Sequence, residues 1–134
     1  EFTPDYLYGV LRKRRAPIKA MLMDQAIVAG LGNIYATEAL FEAGIRPARA
    51  AESLSRAETA RLTSAIKSIL RRAVEAGGST LEDAAYLDPL GRAGGFQNQV
   101  GAYGRKVGRC GHGLRATRRP IAGRTSVYCP ICQH

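Results

Sequence analysis

Through the first two thirds of the chain, apolar positions recur at helical spacing; after that the rhythm is lost. Tyr6, Leu7, Val10 and Leu11 fall on one helical face and predict a helix over Asp5–Arg15. Thr3 is placed to cap it and Pro4 to open its first turn. Pro17 ends it. A second helix is predicted from Ile18 to about Gln25, with Met21 and Leu22 turned inward. The run Ala29-Gly30-Leu31-Gly32-Asn33 interrupts it, because two close glycines break a helix and permit unusual backbone angles. Helix resumes from Ile34 to about Ala43, and Gly44 with Pro47 beyond it is a stop signal. The strongest pattern begins at Ser55. Ser55-x-x-Glu58 is a capping box, and Leu62, Ile66, Ile69, Leu70, Ala73 and Val74 form one apolar stripe, stopped by Gly77-Gly78. A short helix is expected over Thr80–Tyr86.

Beyond Asp88 glycine becomes frequent and the helical pattern ends. Gly91-Arg92-Ala93-Gly94-Gly95 reads as a mobile loop, and Gln99–Tyr103 and Thr125–Tyr128 are short β-prone pieces. The expected architecture is mainly α with a small β-hairpin. A helical module spans residues 1–90, a flexible loop and linker 91–104, and a metal-stapled, zinc-ribbon-like hairpin 105–134.

Composition narrows the picture. At 134 residues and 46% hydrophobic content, a packed core is expected and wholesale disorder is not. The sequence has no apolar run long enough for a membrane helix, and residues 1–20 lack the pattern of a secretory signal, so the default location is cytosolic. Net charge is +9 and unevenly spread. The last acidic residue is Asp88, yet eight Arg and Lys residues follow it. An unbalanced basic segment points to a polyanion partner, most simply nucleic acid.

Three cysteines, an odd number, fit metal binding in a reducing compartment better than a disulfide framework. Cys129-x-x-Cys132 has the spacing of one zinc knuckle, and Cys110 offers a third ligand. His112 is the nearest fourth ligand, with Gly111 and Gly113 permitting the tighter Cys-x-His turn; His134 is a second candidate. A hairpin with so few apolar side chains needs such a staple, and one structural Zn2+ is expected. Arg124, on the approach to the second knuckle, suits bidentate phosphate contact. The Gly30-x-Gly32-Asn33 turn could present backbone N–H groups and the Asn33 amide to a phosphate at a helix start, but by spacing alone its residues fit an ordinary helix joint better.

Three ordered stretches together resemble the C-terminal half of the bacterial formamidopyrimidine-DNA glycosylase family. They are IKAMLMDQAIVAGLGNIYATEALFEAGIRP (residues 18–47), FQNQVGAYGRK (96–106) and AGRTSVYCPICQ (122–133). The first looks like the family's helix–two-turns–helix DNA-binding motif and the last like its zinc finger, with YGRK and the PICQ ending closer to the formamidopyrimidine branch than to endonuclease VIII. The resemblance implies that Lys19, Asn33 and Arg124 pin the lesion-bearing strand. It also implies DNA contacts from Gly32, Arg92, Tyr103 and Arg105, with Gly91–Phe96 matching a loop that closes over an everted base. Measured back from Cys129, His112 takes the place of the family's second cysteine.

The family's catalytic group is an N-terminal proline amine on a preceding β-sandwich domain. This chain begins Glu1-Phe2-Thr3-Pro4, so it looks like a fragment or gene remnant starting in the interdomain linker. The parent protein would be a base-excision glycosylase and AP lyase for oxidised purines (8-oxoguanine, formamidopyrimidines), acting as a monomer on damaged duplex DNA in the bacterial cytoplasm, at the nucleoid. Its partners are that DNA and its own N-terminal domain, with no membrane. This chain alone carries no catalytic residue and should bind DNA without cleaving it. The alternative is a non-catalytic zinc-containing module that binds nucleic acid or protein.

Overall fold

The computed structural model describes residues 2–76 and 100–134. The expected short helix at Thr80–Tyr86 and the Gly91–Gly95 loop lie outside them, as does Arg92. Helix α1 spans Pro4–Leu11, α2 Ile18–Leu22, α3 Asn33–Ala43 and α4 Arg56–Glu75, with a 3-10 turn at Ala51–Ser53. A two-stranded antiparallel sheet follows, β1 Arg115–Ala116 and β2 Val127–Tyr128, with Arg115 opposite Tyr128 and Ala116 opposite Val127.

Capping agrees with the residue types. Thr3 Oγ1 accepts from the Tyr6 N–H at 3.1 Å, and Pro4 opens the first turn. The helix stops at Leu11, four residues short of the expected Arg15. Pro17 biases Ala16 away from helical angles, and the strip that follows α1 bonds sideways instead. Glu52 N–H donates to the Arg14 carbonyl, Ala51 N–H to that of Ala16, and Ile18 N–H to that of Arg49. Lateral partners thus replace the helical ones.

Helix α2 ends at Leu22 rather than Gln25. Asp24 begins a separate turn, its carboxylate accepting from the Ala26 N–H and its carbonyl from Ile27 and Val28. Gln25 spans the next turn, accepting from the Gly30 N–H at 2.8 Å and donating to the Leu31 carbonyl at 3.2 Å. Gly30 takes φ +84°, which favours glycine. Helix α3 begins one residue early: extended Gly32 is the cap and Asn33 lies inside the first turn. Its end is as expected, with Gly44 left-handed and the Ile45 N–H returning to the Leu40 carbonyl at 3.0 Å.

Helix α3 is the centre of the core. Ile34, Ala36, Ala39, Leu40 and Ala43 are all buried, and α4 packs along it through Leu62, Ile66, Ile69 and Ala73. Leu70 is at the edge of this contact. Val74 was expected in the stripe but is 82% exposed. Twelve residues of helix rotate it about 120° from Leu62, off the buried face.

The Ser55–Glu58 capping box is present, and Glu58 also receives the Arg49 guanidinium at 2.5 and 3.1 Å. That bond, helped by the Ser55 N–H, holds the Glu58 carboxyl at about 2 against the opposing push of burial; its ordinary value is 4.5. A carboxyl depressed in the fold stabilises above its unfolded value and loses that contribution as pH falls towards the folded one. Glu58→Gln should therefore lower stability by about 1 kcal/mol at pH 7. The gap from the parent should close between pH 4.5 and 2. Thermal melts across that range check it, and a pH-independent gap would assign the effect to packing.

Gln99–Tyr103 was expected to be β-structure. Gln99 is outside the described residues, and 100–103 form a bend and turn. Their N–H groups converge on a side chain rather than on a neighbouring strand. Glu38, 3% exposed, accepts from Gly101 at 2.6 Å, Ala102 at 3.0 Å and Tyr103 at 2.6 Å. Gly101 is pressed to Phe41 so closely that an added Cβ would lie 3.0 Å from its ring.

Candidate metal centre and nucleic-acid interface

Two tight turns bring four ligand-bearing residues together. In the first, Val107 and Gly113 form an isolated antiparallel bridge, Gly108 N–H donates to the His112 carbonyl at 2.9 Å, and Gly111 takes φ +88°. Gly108 is closely packed here: a Cβ would lie 3.0 Å from both the Cys110 sulfur and Leu114, so either would have to shift to admit one. In the second, the Cys132 N–H points at the Cys129 sulfur at 3.3 Å. The ligand atoms of Cys110, His112, Cys129 and Cys132 all lie within 4.8 Å of one another.

His112 Nδ1 stands 3.4 Å from the Cys132 sulfur and 3.6 Å from the Cys129 sulfur. A tetrahedral metal bonded at about 2.3 Å to sulfur and 2.1 Å to nitrogen separates those atoms by about 3.6 Å. The residues present therefore fit such an ion. Burial pushes the Cys129 thiol up, but the Cys132 and Ile131 N–H groups outweigh it and bring it to about 7. The Cys132 thiol is raised to about 11, first by its hydrogen bond to the Cys129 sulfur and then by burial. Crowded thiols resist a second negative charge, and a bound cation relieves that resistance.

His134 stands outside this cluster. Its backbone is spent on the cap of α3 and the segment after it: its N–H donates to the Gly44 carbonyl, and its carbonyl accepts from the Arg46 N–H and the Arg49 guanidinium. Fully buried Gln133 joins the same contact, accepting from the Cys129 N–H at 2.7 Å and donating to the Ile45 carbonyl at 2.8 Å. Arg46 donates to the Gln133 and Pro130 carbonyls and stacks 5.1 Å over the Tyr128 ring. The cysteine hairpin is therefore seated on the C-terminal end of α3.

A second meeting point lies at the other end of α3. Lys19 is 0% exposed, and its Nζ donates to Asn33 Oδ1 at 2.6 Å and to Ser126 Oγ at 2.7 Å. An ammonium can only donate, so Asn33, itself 6% exposed, turns its carbonyl to Lys19, and its NH2 is the end left as a donor. Gly32 is the extended cap beside it. Arg124 is exposed at a two-residue hairpin turn closed by Ile121 N–H to Arg124 carbonyl and the reciprocal bond. Ala122 and Gly123 there have φ +51° and +74°. Both central residues left-handed is the type I′ pattern, which matches strand twist but favours Asn-Gly. Ala122→Asn should stabilise the metal-loaded chain by about 0.5–1 kcal/mol. Denaturant unfolding measures this, and a less stable variant would refute the strain at Ala122.

The remaining sequence candidates have structural duties. Tyr103 is half-buried with its N–H on Glu38. Arg105 braces its own turn, donating to the Val107 and Val100 carbonyls. Sequence reasoning missed Gln25, which braces its own turn, and Glu38, Ser126 and Gln133, which are buried and each carry a bond between distant segments. Nothing in a linear pattern distinguishes such a residue from a surface one.

Residues 1–85 match the family described as formamidopyrimidine-DNA glycosylase H2TH domain. The chain belongs to that family. It is 50% identical to the formamidopyrimidine-DNA glycosylase of Thermomicrobium roseum, over 97% of this chain and 45% of that protein, and 47% identical to one from Thermus thermophilus, over 97% and 49%. It spans about half the length of these relatives. The crystal structure of the MutM (Fpg) protein of Thermus thermophilus is similar at TM-score 0.85 and 44% identity, covering 98% of this chain and 50% of that one. The complex of Lactococcus lactis Fpg with DNA containing an abasic site is similar at TM-score 0.82 and 36% identity, covering 99% and 48%. Among the described residues no helix is long and apolar enough to cross a membrane.

Proposed function

We propose that this chain is the DNA-binding half of a base-excision glycosylase and AP lyase that acts on oxidised purines in duplex DNA. The observation that carries this reading is the Asn33 amide at the start of α3, its carbonyl held by buried Lys19 so that the NH2 is the end turned away from that ammonium, in a fold that also exposes Arg124 on a cysteine-held hairpin. In this reading α2, the two turns and α3 form the helix–two-turns–helix motif, and the hairpin is its zinc finger. Cys110, His112, Cys129 and Cys132 hold one structural Zn2+. The ion, when bound, supplies rigidity and no chemistry of its own. Asn33 and the N–H groups of the first α3 turn receive one phosphate. Arg124 receives another through its planar fork. Lys19 acts from behind, through Asn33. Base excision and strand cleavage belong to the other half of the parent protein, and its partners are damaged DNA and that half.

Phosphate contacts position a protein without reading sequence. Asn33→Ala and Arg124→Ala should each weaken binding about tenfold, alike for undamaged duplex and for duplex carrying a tetrahydrofuran abasic analogue, and Arg124→Ala should reduce the salt slope by about one. Fluorescence anisotropy across a salt series reads both. If neither substitution changes affinity, the phosphate roles are wrong. Borohydride treatment of this chain with abasic DNA should trap no covalent adduct; an adduct would place the nucleophile here.

A further inference from the structure

We infer that Ser126 is a positioning residue for DNA binding: it holds Lys19 so that Lys19 holds the Asn33 amide with its NH2 outward. The inference rests on the phosphate role proposed for Asn33 and extends it to a residue on a different element. Three observations carry it. Ser126 is fully buried on the hairpin, three residues before the metal ligand Cys129 and two after exposed Arg124. Its Oγ accepts from Lys19 Nζ at 2.7 Å, across 107 residues of chain. The same Nζ donates to Asn33 Oδ1 at 2.6 Å.

An asparagine amide has two ends of similar shape, and its neighbours select which one faces out. Facing Lys19, the NH2 would meet an ammonium, donor against donor. The carbonyl therefore turns in, and the donor that an anion needs turns out. Lys19 enforces this through its Nζ, and Ser126 fixes the same Nζ from the hairpin side. The consequence is that seating of the hairpin and orientation of Asn33 are one event. The phosphate donor at α3 and the arginine at the hairpin tip are set together, even though the hairpin and the turn are far apart in sequence.

The test is a double-mutant cycle on the full chain carrying its metal, with a tetrahydrofuran-containing duplex at fixed salt. Ser126→Ala should weaken binding about fivefold, and Ser126→Thr, which keeps the hydroxyl, should bind as the parent does. In an Asn33→Ala background, Ser126→Ala should have no further effect. The Asn33 side-chain amide pair in a 1H–15N spectrum should shift in Ser126→Ala and stay in place in Ser126→Thr. Equal loss from Ser126→Ala in both backgrounds would mean general loosening of the hairpin and would overturn the inference. So would an unmoved Asn33 signal. If Asn33→Ala weakens binding but Ser126→Ala does not, the inference alone fails. If Asn33→Ala itself has no effect, the phosphate reading fails and takes the inference with it.

Discussion

Stripping the metal from the Cys110–His112–Cys129–Cys132 cluster should unfold the hairpin and reduce DNA affinity by at least about a hundredfold. The hairpin has little else to hold it. Between residues 105 and 134 the buried apolar side chains are Ile121 and Cys129. So small an apolar core does not order a segment of this length by itself, and small domains of this kind draw their folding free energy from the bound metal. Ser126 and Arg124 both depend on the hairpin, so both proposed phosphate contacts should be lost together. Chelator titration followed by circular dichroism and anisotropy reads the two losses, and re-addition of zinc should restore them. Intact DNA binding in the metal-free chain would refute this account. His112→Ala isolates the ligand that spacing left open and that geometry places best. It should lower metal affinity by at least about tenfold. If it binds one metal ion per chain as tightly as the parent, His112 is not a ligand.

Glu38→Ala should destabilise the chain by about 3–5 kcal/mol, because three backbone N–H donors lose their acceptor at once. The carboxylate takes N–H bonds from Gly101, Ala102 and Tyr103 in an almost closed pocket. Without it those donors are buried and unmatched. Glu38→Gln is the sharper variant. It retains the volume, but only one of its two end atoms can accept, and the other presents hydrogens to N–H groups. It should lose most of the same stability. The damage should reach the hairpin, because Gly101 also accepts from the Arg109 N–H at 2.7 Å, one residue before Cys110. Denaturant unfolding of both variants provides the numbers; a Gln variant as stable as the parent would show that shape, rather than the carboxylate, holds the turn.

Residue pattern alone identified features that are local in origin. The Thr3 and Ser55 caps, the Gly44 stop and the core stripe of α4 each depend on residues within a few positions of one another, and such interactions are encoded by spacing. The cysteine spacing likewise announced a metal site, since a four-ligand geometry restricts how the ligands can be arranged along a chain. Errors arose where a distant partner competed. Residues after Leu11 left the helix because Ala51 and Glu52 were there to bond. Val100–Tyr103 abandoned strand geometry because Glu38 offered one acceptor group to several donors.

Taken by itself, the sequence located helices α1 to α4 and the cysteines and histidines able to serve as ligands. It left His112 and His134 both open as the fourth ligand, and it could not tell a buried lysine from a surface one. Tertiary structure decided those points. It sent His134 to the end of α3, brought His112 to the sulfurs, and placed Lys19 behind Asn33 where Ser126 could reach it. The physical reason is that caps and knuckles are satisfied by near neighbours. A buried ammonium, carboxylate or amide must find its partner wherever the chain happens to return, and only the packed fold specifies where that is.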